Sequence, residues 1–325
     1  MIHSDEEKAA GMARANVIHY EGILDQAIYD ERVSRAEVFL GRTAEEQQRS
    51  QKLLASSTVG IAGTGGIGGA MAMRLARLGV RHLKLADPQV FDWSNVNRQL
   101  GAEKQNIGKN KAAVVGEMVY NLAGDVTIDV YTDGITLGNA EEFVDGCDVV
   151  LDQLDFSVLA EKYALHRAFR KNERIKYILA CSVVGWAAHL YKFERHGMKI
   201  EDWYGIPDQA GLTEANIERL VKLWAPKLMR FPEYAEVQTW MRRTKGVPIF
   251  TGAPPLAEGI LIQRVALVLM GLEKPPYATW LPPIPAMYCY DALTFEGEFV
   301  KSDGTQMNAE ALALLWREFD RNGVR

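Results

Sequence analysis

The sequence predicts an α/β protein built on a doubly wound, mostly parallel β-sheet, with an N-terminal helical arm and a helical insertion. Short apolar strands alternate with amphipathic helices between residues 58 and 193, an order that produces a parallel sheet with helices on both faces. A glycine-rich run joins the first of these strands to the first of these helices. The composition, 48% hydrophobic and 24% charged, is that of an ordinary globular protein and excludes disordered, collagen-like and coiled-coil classes.

The elements of the first half follow one another in a regular order. Residues 59–62 are predicted to form a buried strand, and the helix after the glycine-rich run has Ile67, Met71, Leu75 and Leu78 on one side. Gly79 is a usual residue at a helix end. Further strands are predicted at 82–87, 126–131, 148–152 and 177–181, and further helices at 111–122 and 159–172.

The second half is less regular. We expect a strand at 186–193, a helical pair at 213–244 that is broken by prolines, a helix at 256–271 and a closing hairpin at 288–300. These pieces should extend the same sheet, with the helical pair as an insertion. The predicted parts are a helical arm (1–55), the domain with the glycine-rich run (56–205), an insertion that could recognise a substrate (206–246), and a C-terminal part that completes the sheet (247–325).

Charge and cysteine content limit the partners and the compartment. The net charge of −5 makes the surface as a whole a poor binder of polyanions, so we expect no nucleic-acid partner. Cys147, Cys181 and Cys289 stand far apart without a C-x-x-C pair, so neither a disulfide framework nor zinc is expected. No secretory signal is apparent, and the apolar stretch at 260–272 is too short for a membrane span. We therefore expect a cytoplasmic protein with no membrane partner.

The glycine-rich run has the spacing of a phosphate-binding turn. In Gly63-x-Gly65-Gly66-x-Gly68, the first glycine permits a tight turn, the second lets a phosphate approach the backbone, and the last allows close helix–strand packing. The helix that follows offers free N–H groups to an anion. Asp87 ends the second strand, 19 residues after Gly68, where a carboxylate can hydrogen-bond a ribose. The pattern predicts that residues 56–205 bind a nucleotide, although a ligand-free tight turn would look similar.

The residues after Asp87 help to distinguish ATP from NAD. Asn95 and Arg98 follow the ribose carboxylate, Lys111 begins the next helix, and Asp152-x-x-Asp155 ends a later strand. Cations and acids that converge on one phosphate site suit a metal–triphosphate better than a nicotinamide. Gly108-Lys109 is not a P-loop, because the upstream glycine spacing and the following Ser or Thr are missing.

The ordered set of motifs resembles the ThiF/MoeB branch of the ubiquitin-activating-enzyme superfamily, which has a Rossmann-like sheet. Arg32-Val33-Ser34-Arg35 is similar to that family's N-terminal Arg-Tyr-x-Arg motif. The glycine-rich run, Asp87, Ser94-Asn95-x-Asn97-Arg98-Gln99, Lys111 and Asp155 fall where its ATP-binding residues fall. The resemblance covers residues 32–193 well and 247–300 weakly.

The resemblance implies an adenylyltransferase that uses ATP and Mg²⁺ to activate a carboxylate and releases pyrophosphate. The carboxylate would be the C-terminus of a carrier protein or peptide, or a small-molecule acid. The implied nucleotide-binding residues are Gly63, Gly65, Gly66 and Gly68, with Asp87 on the ribose and Asn95 and Arg98 on the phosphates. Lys111 would neutralise the triphosphate, and Asp155 would bind magnesium. Arg35 of the neighbouring subunit in a homodimer would contact the γ-phosphate.

Each of these residues also has a purely local explanation. Arg35 and Lys111 could be solvated helix residues, and Arg32 or Arg35 could pair with a neighbouring glutamate. Asp155 could cap the next helix, and Asn95 could close a turn.

The sequence also departs from the family pattern. It lacks paired C-x-x-C motifs, so no zinc is implied, and it has Gln89 in place of the family's second acid and Phe156 where Asn is common. No cysteine lies between Trp186 and Tyr288, where thioester-forming relatives carry theirs. Two alternatives remain open: an NAD-dependent oxidoreductase, and a degenerate member that binds a nucleotide or peptide without catalysis.

The insertion is the least family-like part of the chain. Between Leu220 and Lys245, six basic residues stand against two acidic ones, with aromatic residues interleaved. A substrate carboxylate or an acidic peptide could dock there. A solvated helical face with a buried aromatic side would give the same pattern.

Overall fold

A computed structural model of the chain describes residues 16–208, 210, 213–226, 231, 236, 239–240 and 248–302. Within these residues a nine-stranded sheet has the order β1-β4-β3-β2-β5-β6-β7-β8-β9. The strands are β1 (Val17–Tyr20), β2 (Thr58–Ala62), β3 (His82–Ala86), β4 (Thr127–Tyr131), β5 (Val149–Asp152), β6 (Tyr177–Val184), β7 (Ala187–Phe193), β8 (Ala286–Asp291) and β9 (Glu296–Lys301).

The strands from β4 to β6 are parallel and form the core of the sheet. At one edge β1 runs antiparallel to β4, and at the other β7, β8 and β9 extend the sheet as antiparallel strands. The strand order reverses between β2 and β5, where Ala62 pairs with both Ala86 and Asp152. The carboxyl ends of β2, β3 and β5 therefore lie side by side, at the position where doubly wound sheets bind ligands. The predicted doubly wound fold is confirmed.

Helices cover both faces of the sheet. One face carries α2 (Ala44–Ser56), α3 (Gly68–Leu78), α4 (Lys111–Ala123) and α9 (Ala253–Met270). The other carries α5 (Ala140–Val144), α6 (Leu159–Lys171), α7 (Ile200–Tyr204) and α8 (Glu214–Trp224). Helix α1 (Gln26–Glu37) packs against α2 and α3. Each face has its own hydrophobic core, so the sheet is buried on both sides as a parallel sheet requires.

The prediction that residues 1–55 are helical is wrong for Val17–Tyr20, which form β1. This strand is stabilised by pairing with β4, and His19 on it bonds Asp129 at 2.7 Å. Val17, Ile18 and Tyr20 are residue types that favour strands, a local signal that the helical prediction overlooked. The short helices α5 and α7 were also not predicted.

The insertion is described only in part. Helix α8 ends at Trp224, before Pro226, as the predicted break requires. The break at Pro232 and most of the basic residues between Leu220 and Lys245 lie outside the described residues. The boundaries between the predicted domains stay predictions.

Helix α9 is long and apolar enough, by length and composition alone, to cross a membrane. In the fold it packs against β6, β7, α2 and α3, and Leu261, Val265 and Leu269 are buried in a stripe at helical spacing. Glu258 on the same helix is buried and paired with Arg74 of α3. We interpret α9 as a core helix, because a charged pair to a neighbouring helix suits a protein interior better than lipid.

Candidate active site

The glycine-rich run forms a tight turn with an open outer side. Gly63 has a φ of +96°, and a Cβ there would lie 2.4 Å from the Gln153 carbonyl oxygen. A Cβ on Gly68 would lie 1.9 Å from the Gly63 carbonyl oxygen, so α3 approaches β2 as closely as backbone allows. A Cβ on Gly65 would meet nothing nearer than Gln99 Nε2 at 3.9 Å. The turn therefore has one crowded side, where it joins the strands, and one side with room for a ligand.

The N-terminus of α3 presents unpaired donors on this open side. The N–H groups of Gly65, Gly66, Ile67 and Gly68 make no hydrogen bond to any other described residue. Consecutive free N–H groups at the positive end of a helix dipole attract an anion. The loop can therefore hold a phosphate with backbone donors.

Asp87 is held in place directly after β3. It is buried, its Oδ2 accepts hydrogen bonds from the Thr64 N–H at 2.8 Å and the Thr64 hydroxyl at 3.3 Å, and its Oδ1 accepts the Gln89 N–H at 2.9 Å. Each carboxylate oxygen can accept a further bond. The carboxylate is thus oriented by the backbone on both sides, as a rigid ribose acceptor would be.

The segment after Asp87 brings Arg98 to the glycine-rich run. The position of a Cβ on Gly66 lies 3.9 Å from Arg98 Cγ, and Arg98 Nη1 donates to the Ser94 carbonyl and to Asn97 Oδ1, each at 2.8 Å. Burial lowers the pKa of Arg98, but a guanidinium remains charged in proteins.

Asn95 has a local role in the same segment. It is buried, and its Oδ1 accepts the Asp92 N–H at 3.3 Å in a capping turn. This is the turn-closing role that the sequence left open. A phosphate contact by Asn95 stays a prediction.

Lys111 is the first residue of α4 and is buried, so it is not a solvated helix residue. Its Nζ donates to Gln89 Oε1 at 2.8 Å, and its backbone N–H donates to the Gln89 carbonyl at 2.9 Å. Burial lowers the pKa of Lys111, and the Asp87 and Asp92 carboxylates offset part of that effect. Because Gln89 is neutral, Lys111 is hydrogen-bonded without being neutralised.

Asp155 lies in the exposed turn between β5 and α6. Its Oδ1 accepts the Ser157 N–H at 2.9 Å and the Ser157 hydroxyl at 2.7 Å. The N-cap of α6 is Val158, so Asp155 closes the turn before the helix and does not cap the helix itself. Its Oδ2 has no partner among the described residues. One oxygen can therefore bind a cation without any rearrangement of the turn.

Arg35 forms no hydrogen bond or ion pair with the other predicted site residues of its own chain. Arg32, one helical turn before Arg35 on α1, donates to the Ala76 carbonyl and pairs with Asp125 at 2.5 Å. Ala76 is about 12 Å along α3 from Gly68, at about 1.5 Å per residue, so α1 docks at the far end of α3. Arg35 is exposed and forms no ion pair with the described residues. The alternative pairing of these arginines with adjacent glutamates is not observed among the described residues.

Two further residues that sequence reasoning missed are Lys162 and His166. Both are buried on α6, and both contact the Asp152 carboxylate, at 2.7 and 2.9 Å. Their spacing of four residues on the helix after Asp152 was the available signal, since it places them on one helix face.

The cysteines and other metal-binding side chains offer no second reactive centre in the described part of the chain. All three thiols are buried. Burial raises the pKa of Cys147 to about 12 and raises that of Cys181 further, so neither is a thiolate at neutral pH. No three His, Cys, Asp or Glu side chains among the described residues are grouped as metal ligands would be.

Curated proteins are similar to this chain over part of its length. A probable molybdopterin-synthase adenylyltransferase of Gracilaria tenuistipitata var. liui is 29% identical over 168 residues, or 51% of this chain and 46% of that protein. A tRNA threonylcarbamoyladenosine dehydratase of Escherichia coli is 29% identical over 127 residues, or 39% of this chain and 47% of that protein. The chain spans about half the length of these relatives.

A solved structure and a family pattern extend the similarity to most of the chain. The crystal structure of E. coli MccB with ATP superposes with a TM-score of 0.59 over 83% of this chain and 71% of that one, at 15% identity, which supports the fold. The pattern of the ThiF family matches residues 38–267. Together with the geometry around the glycine-rich run, this match shows that the chain belongs to the ThiF family.

Proposed function

We propose that this protein catalyses the ATP- and Mg²⁺-dependent adenylation of a carboxylate, with release of pyrophosphate. The observation that carries the proposal is a set of groups at the carboxyl ends of the parallel strands. The set comprises unpaired backbone N–H donors, an oriented carboxylate, two cationic side chains and a second carboxylate with one unbonded oxygen. These groups are the N-terminus of α3, Asp87, Arg98, Lys111 and Asp155. The name of one relative, an adenylyltransferase, supports the same reaction.

In the proposed reaction a carboxylate oxygen attacks the α-phosphorus of ATP. The bond from that phosphorus to the oxygen that bridges to the β-phosphate breaks, and pyrophosphate leaves with its electron pair. Asp87 would hold the ribose, and the free N–H groups of α3 would hold phosphate oxygens. Arg98 and Lys111 would stabilise the charge that gathers on the leaving pyrophosphate. The acyl-adenylate is then ready for an external nucleophile.

Asp155 fits a magnesium ion that is held mainly by substrate oxygens. Magnesium in phosphate-transfer sites is commonly bound by one or two carboxylates together with phosphates and water, and Asp155 Oδ2 is free for this purpose. Held by Asp155, the ion would supply positive charge that offsets the negative charge of the phosphates. Asp155→Ala should abolish most pyrophosphate exchange and leave the melting temperature unchanged, whereas Ser157→Ala, which keeps the carboxylate, should retain activity.

Calorimetric titration with ATP and with NAD separates this proposal from an oxidoreductase. We expect ATP to bind with magnesium and NAD to bind far more weakly, because an NAD enzyme would leave Lys111 and Asp155 without a role. Asp87→Ala should weaken ATP binding by about 1–3 kcal/mol, the scale of a lost charge-assisted hydrogen bond. Tight NAD binding, or unchanged ATP affinity in a folded Asp87→Ala variant, would refute the nucleotide assignment. ATP binding without turnover on any carboxylate would indicate the degenerate alternative.

We also propose a homodimer in which Arg35 completes the partner's site. Three exposed apolar side chains lie close to Arg35 in the sequence of the arm: Ile28, Val38 and Phe39, the last 87% exposed. A second exposed apolar group, Val90, Trp93 and Val96, lies in the segment that leads to Arg98, and Trp93 is 65% exposed. A two-fold axis could bring the first group of one subunit onto the second group of the other. The Arg35 guanidinium would then reach the triphosphate with paired hydrogen bonds.

Mixing inactive variants tests this arrangement. Arg35→Ala and Asp155→Ala subunits should regain about one quarter of wild-type activity on mixing, because half of the dimers are mixed and each mixed dimer has one complete site. Arg49→Ala, which removes another exposed arm arginine, is the control and should be active alone. Phe39→Asp should dissociate the dimer in native mass spectrometry. Subunit exchange without recovered activity would contradict the role of Arg35.

The proposed substrate belongs to one of three classes of carboxylate: a carrier-protein C-terminus, a peptide C-terminus or a small acid. Pyrophosphate exchange measured across members of each class would identify it. A cytoplasmic location, and the absence of nucleic-acid, membrane and zinc partners, stay predictions from composition.

A further inference from the structure

We propose that Lys162 and His166 are positioning residues for the candidate magnesium ligand Asp155 and act on it through Asp152. The inference rests on the proposed function, since it concerns how the same site holds its metal. Neither residue touches the space where ATP would lie. Their effect would pass along the turn that joins β5 to α6.

The Asp152 carboxylate is saturated with hydrogen bonds in the interior. Lys162 Nζ donates to Oδ1 at 2.7 Å and to Oδ2 at 2.8 Å, and His166 Nε2 lies 2.9 Å from Oδ2. The side chains of Asp152 and Lys162 are fully buried, and that of His166 nearly so. Burial alone would raise the pKa of Asp152, but Lys162 and His166 bring it down to about 2. Burial lowers the pKa of His166, so the imidazole is neutral and donates its proton from Nε2.

The same carboxylate shapes the turn that carries Asp155. Asp152 Oδ1 also accepts the Leu154 N–H at 3.2 Å, and the Gln153 N–H donates to the Ala62 carbonyl at 2.8 Å. The Gln153 carbonyl faces Gly63, where a Cβ would lie 2.4 Å from its oxygen. The turn is therefore clamped between β2 and the buried carboxylate. Any rotation of Asp152 would move the Leu154 amide and, one residue later, Asp155.

Stability does not explain why a charge pair is buried here. A buried ion pair commonly stabilises no more than apolar residues of the same size, because both charges lose their hydration. Such a pair fixes the orientation of the carboxylate, since the two oxygens can accept all of these hydrogen bonds in one orientation only. In metal sites, residues that orient the ligands often change metal affinity by about 10–100-fold when they are removed.

Lys162 is also fixed from its other side. Its Nζ lies 5.0 Å from the centre of the Trp224 ring, a cation–π distance. Trp224 is itself held by two hydrogen bonds. Its Nε1 donates to the Tyr204 hydroxyl at 2.8 Å, and its backbone carbonyl accepts the Tyr191 hydroxyl at 2.5 Å. The ammonium is therefore contacted both by the Asp152 carboxylate and by the Trp224 ring. It can serve as a rigid support for Asp152.

The test measures how strongly magnesium tightens ATP binding, by calorimetry with ATP in EDTA and with ATP at saturating Mg²⁺. Lys162→Met alone leaves an unpaired buried carboxylate and can unfold the protein, so the main variant is the neutral double substitution Asp152→Asn with Lys162→Met. Tyr163→Phe is the matched control. It removes a buried hydrogen bond of the same helix, to the Ile206 carbonyl at 2.8 Å, without touching Asp152.

We expect the double variant to fold and to bind ATP in EDTA within about twofold of wild type, while the tightening by magnesium falls about tenfold. Tyr163→Phe should keep the full tightening, and Lys162→Arg, which retains the charge, should recover part of it. If magnesium tightened ATP binding fully in the double variant but not in Asp155→Ala, this inference would be overturned and the proposed function would be left intact. No ATP binding by the wild type, or no effect of Asp155→Ala, would overturn the proposed metal site and this inference with it.

Discussion

The close approach of α3 to β2 makes Gly68→Ala a direct test of how the glycine-rich run is built. The added Cβ would stand 1.9 Å from the Gly63 carbonyl oxygen, whereas real Cβ contacts are essentially never under 3.0 Å. Helix and strand would have to separate by about 1 Å or more within a close-packed core. Overpacking of this kind costs about 1–3 kcal/mol. We expect the upper end of that range, because both clashing groups are anchored in backbone.

Urea unfolding measures this cost, with the same substitution at a roomy helical position as control. Gly259 lies on α9, and a Cβ there would meet nothing within 4 Å. Gly259→Ala should raise the free energy of unfolding by up to about 1 kcal/mol, the helix propensity difference. One chemical change should therefore have opposite signs at Gly68 and Gly259. If Gly68→Ala and wild type unfolded at the same urea concentration and with the same dependence on urea, the close contact would be refuted.

Three further predictions concern the nucleotide site and acid stability. Gly65→Ala should leave the unfolding free energy within about 0.5 kcal/mol of wild type. It should weaken ATP binding at least about tenfold in calorimetry, because the added methyl group occupies the open side that a phosphate would approach. Gln89→Glu should raise the ATP dissociation constant about tenfold, because a carboxylate at the 2.8 Å contact would neutralise Lys111. The pKa of Asp152, about 2 in the fold and 3.8 ordinarily, predicts a stability contribution that is complete above about pH 4 and is lost as the pH falls towards 2, measurable by urea unfolding across that range.

Each of these predictions has a contradicting result. Unchanged ATP affinity in Gly65→Ala would place the phosphates elsewhere. Gln89→Met keeps the charge of Lys111 and should bind ATP more tightly than Gln89→Glu, so equal affinities would exclude the electrostatic explanation. If the neutral double variant Asp152→Asn with Lys162→Met shows the same loss of stability between pH 4 and 2 as wild type, other carboxylates cause the acid unfolding.

The parallel core of the sheet and the turn at its centre can be predicted from local sequence patterns. Strands β2 to β6 are short apolar or alternating runs between helices, and this alternation of patterns is a local feature of the sequence. The spacing of Gly63 and Gly68 is enough to assign their backbone roles, because a tight turn and a close helix–strand contact exclude a side chain by steric repulsion alone. The close contact of Gly68 is with Gly63, a near neighbour in the sequence, and is therefore visible there. The crowding of Gly63 by the Gln153 carbonyl depends on the docking of β5 beside β2 and is visible only in the fold.

The tertiary structure decided which polar groups meet. Only the fold shows that Lys162 and His166 converge on Asp152, that Gln89 holds Lys111, and that Val17–Tyr20 form an edge strand. Contacts of this kind can join residues as far as 184 positions apart, the separation of Arg74 and Glu258, and the energy of a buried charge depends on whether its partner arrives. Hydrophobic periodicity is a local property and reports that a helix face is buried. It does not report which carboxylate lies beneath that face, because strand order and helix docking settle that together.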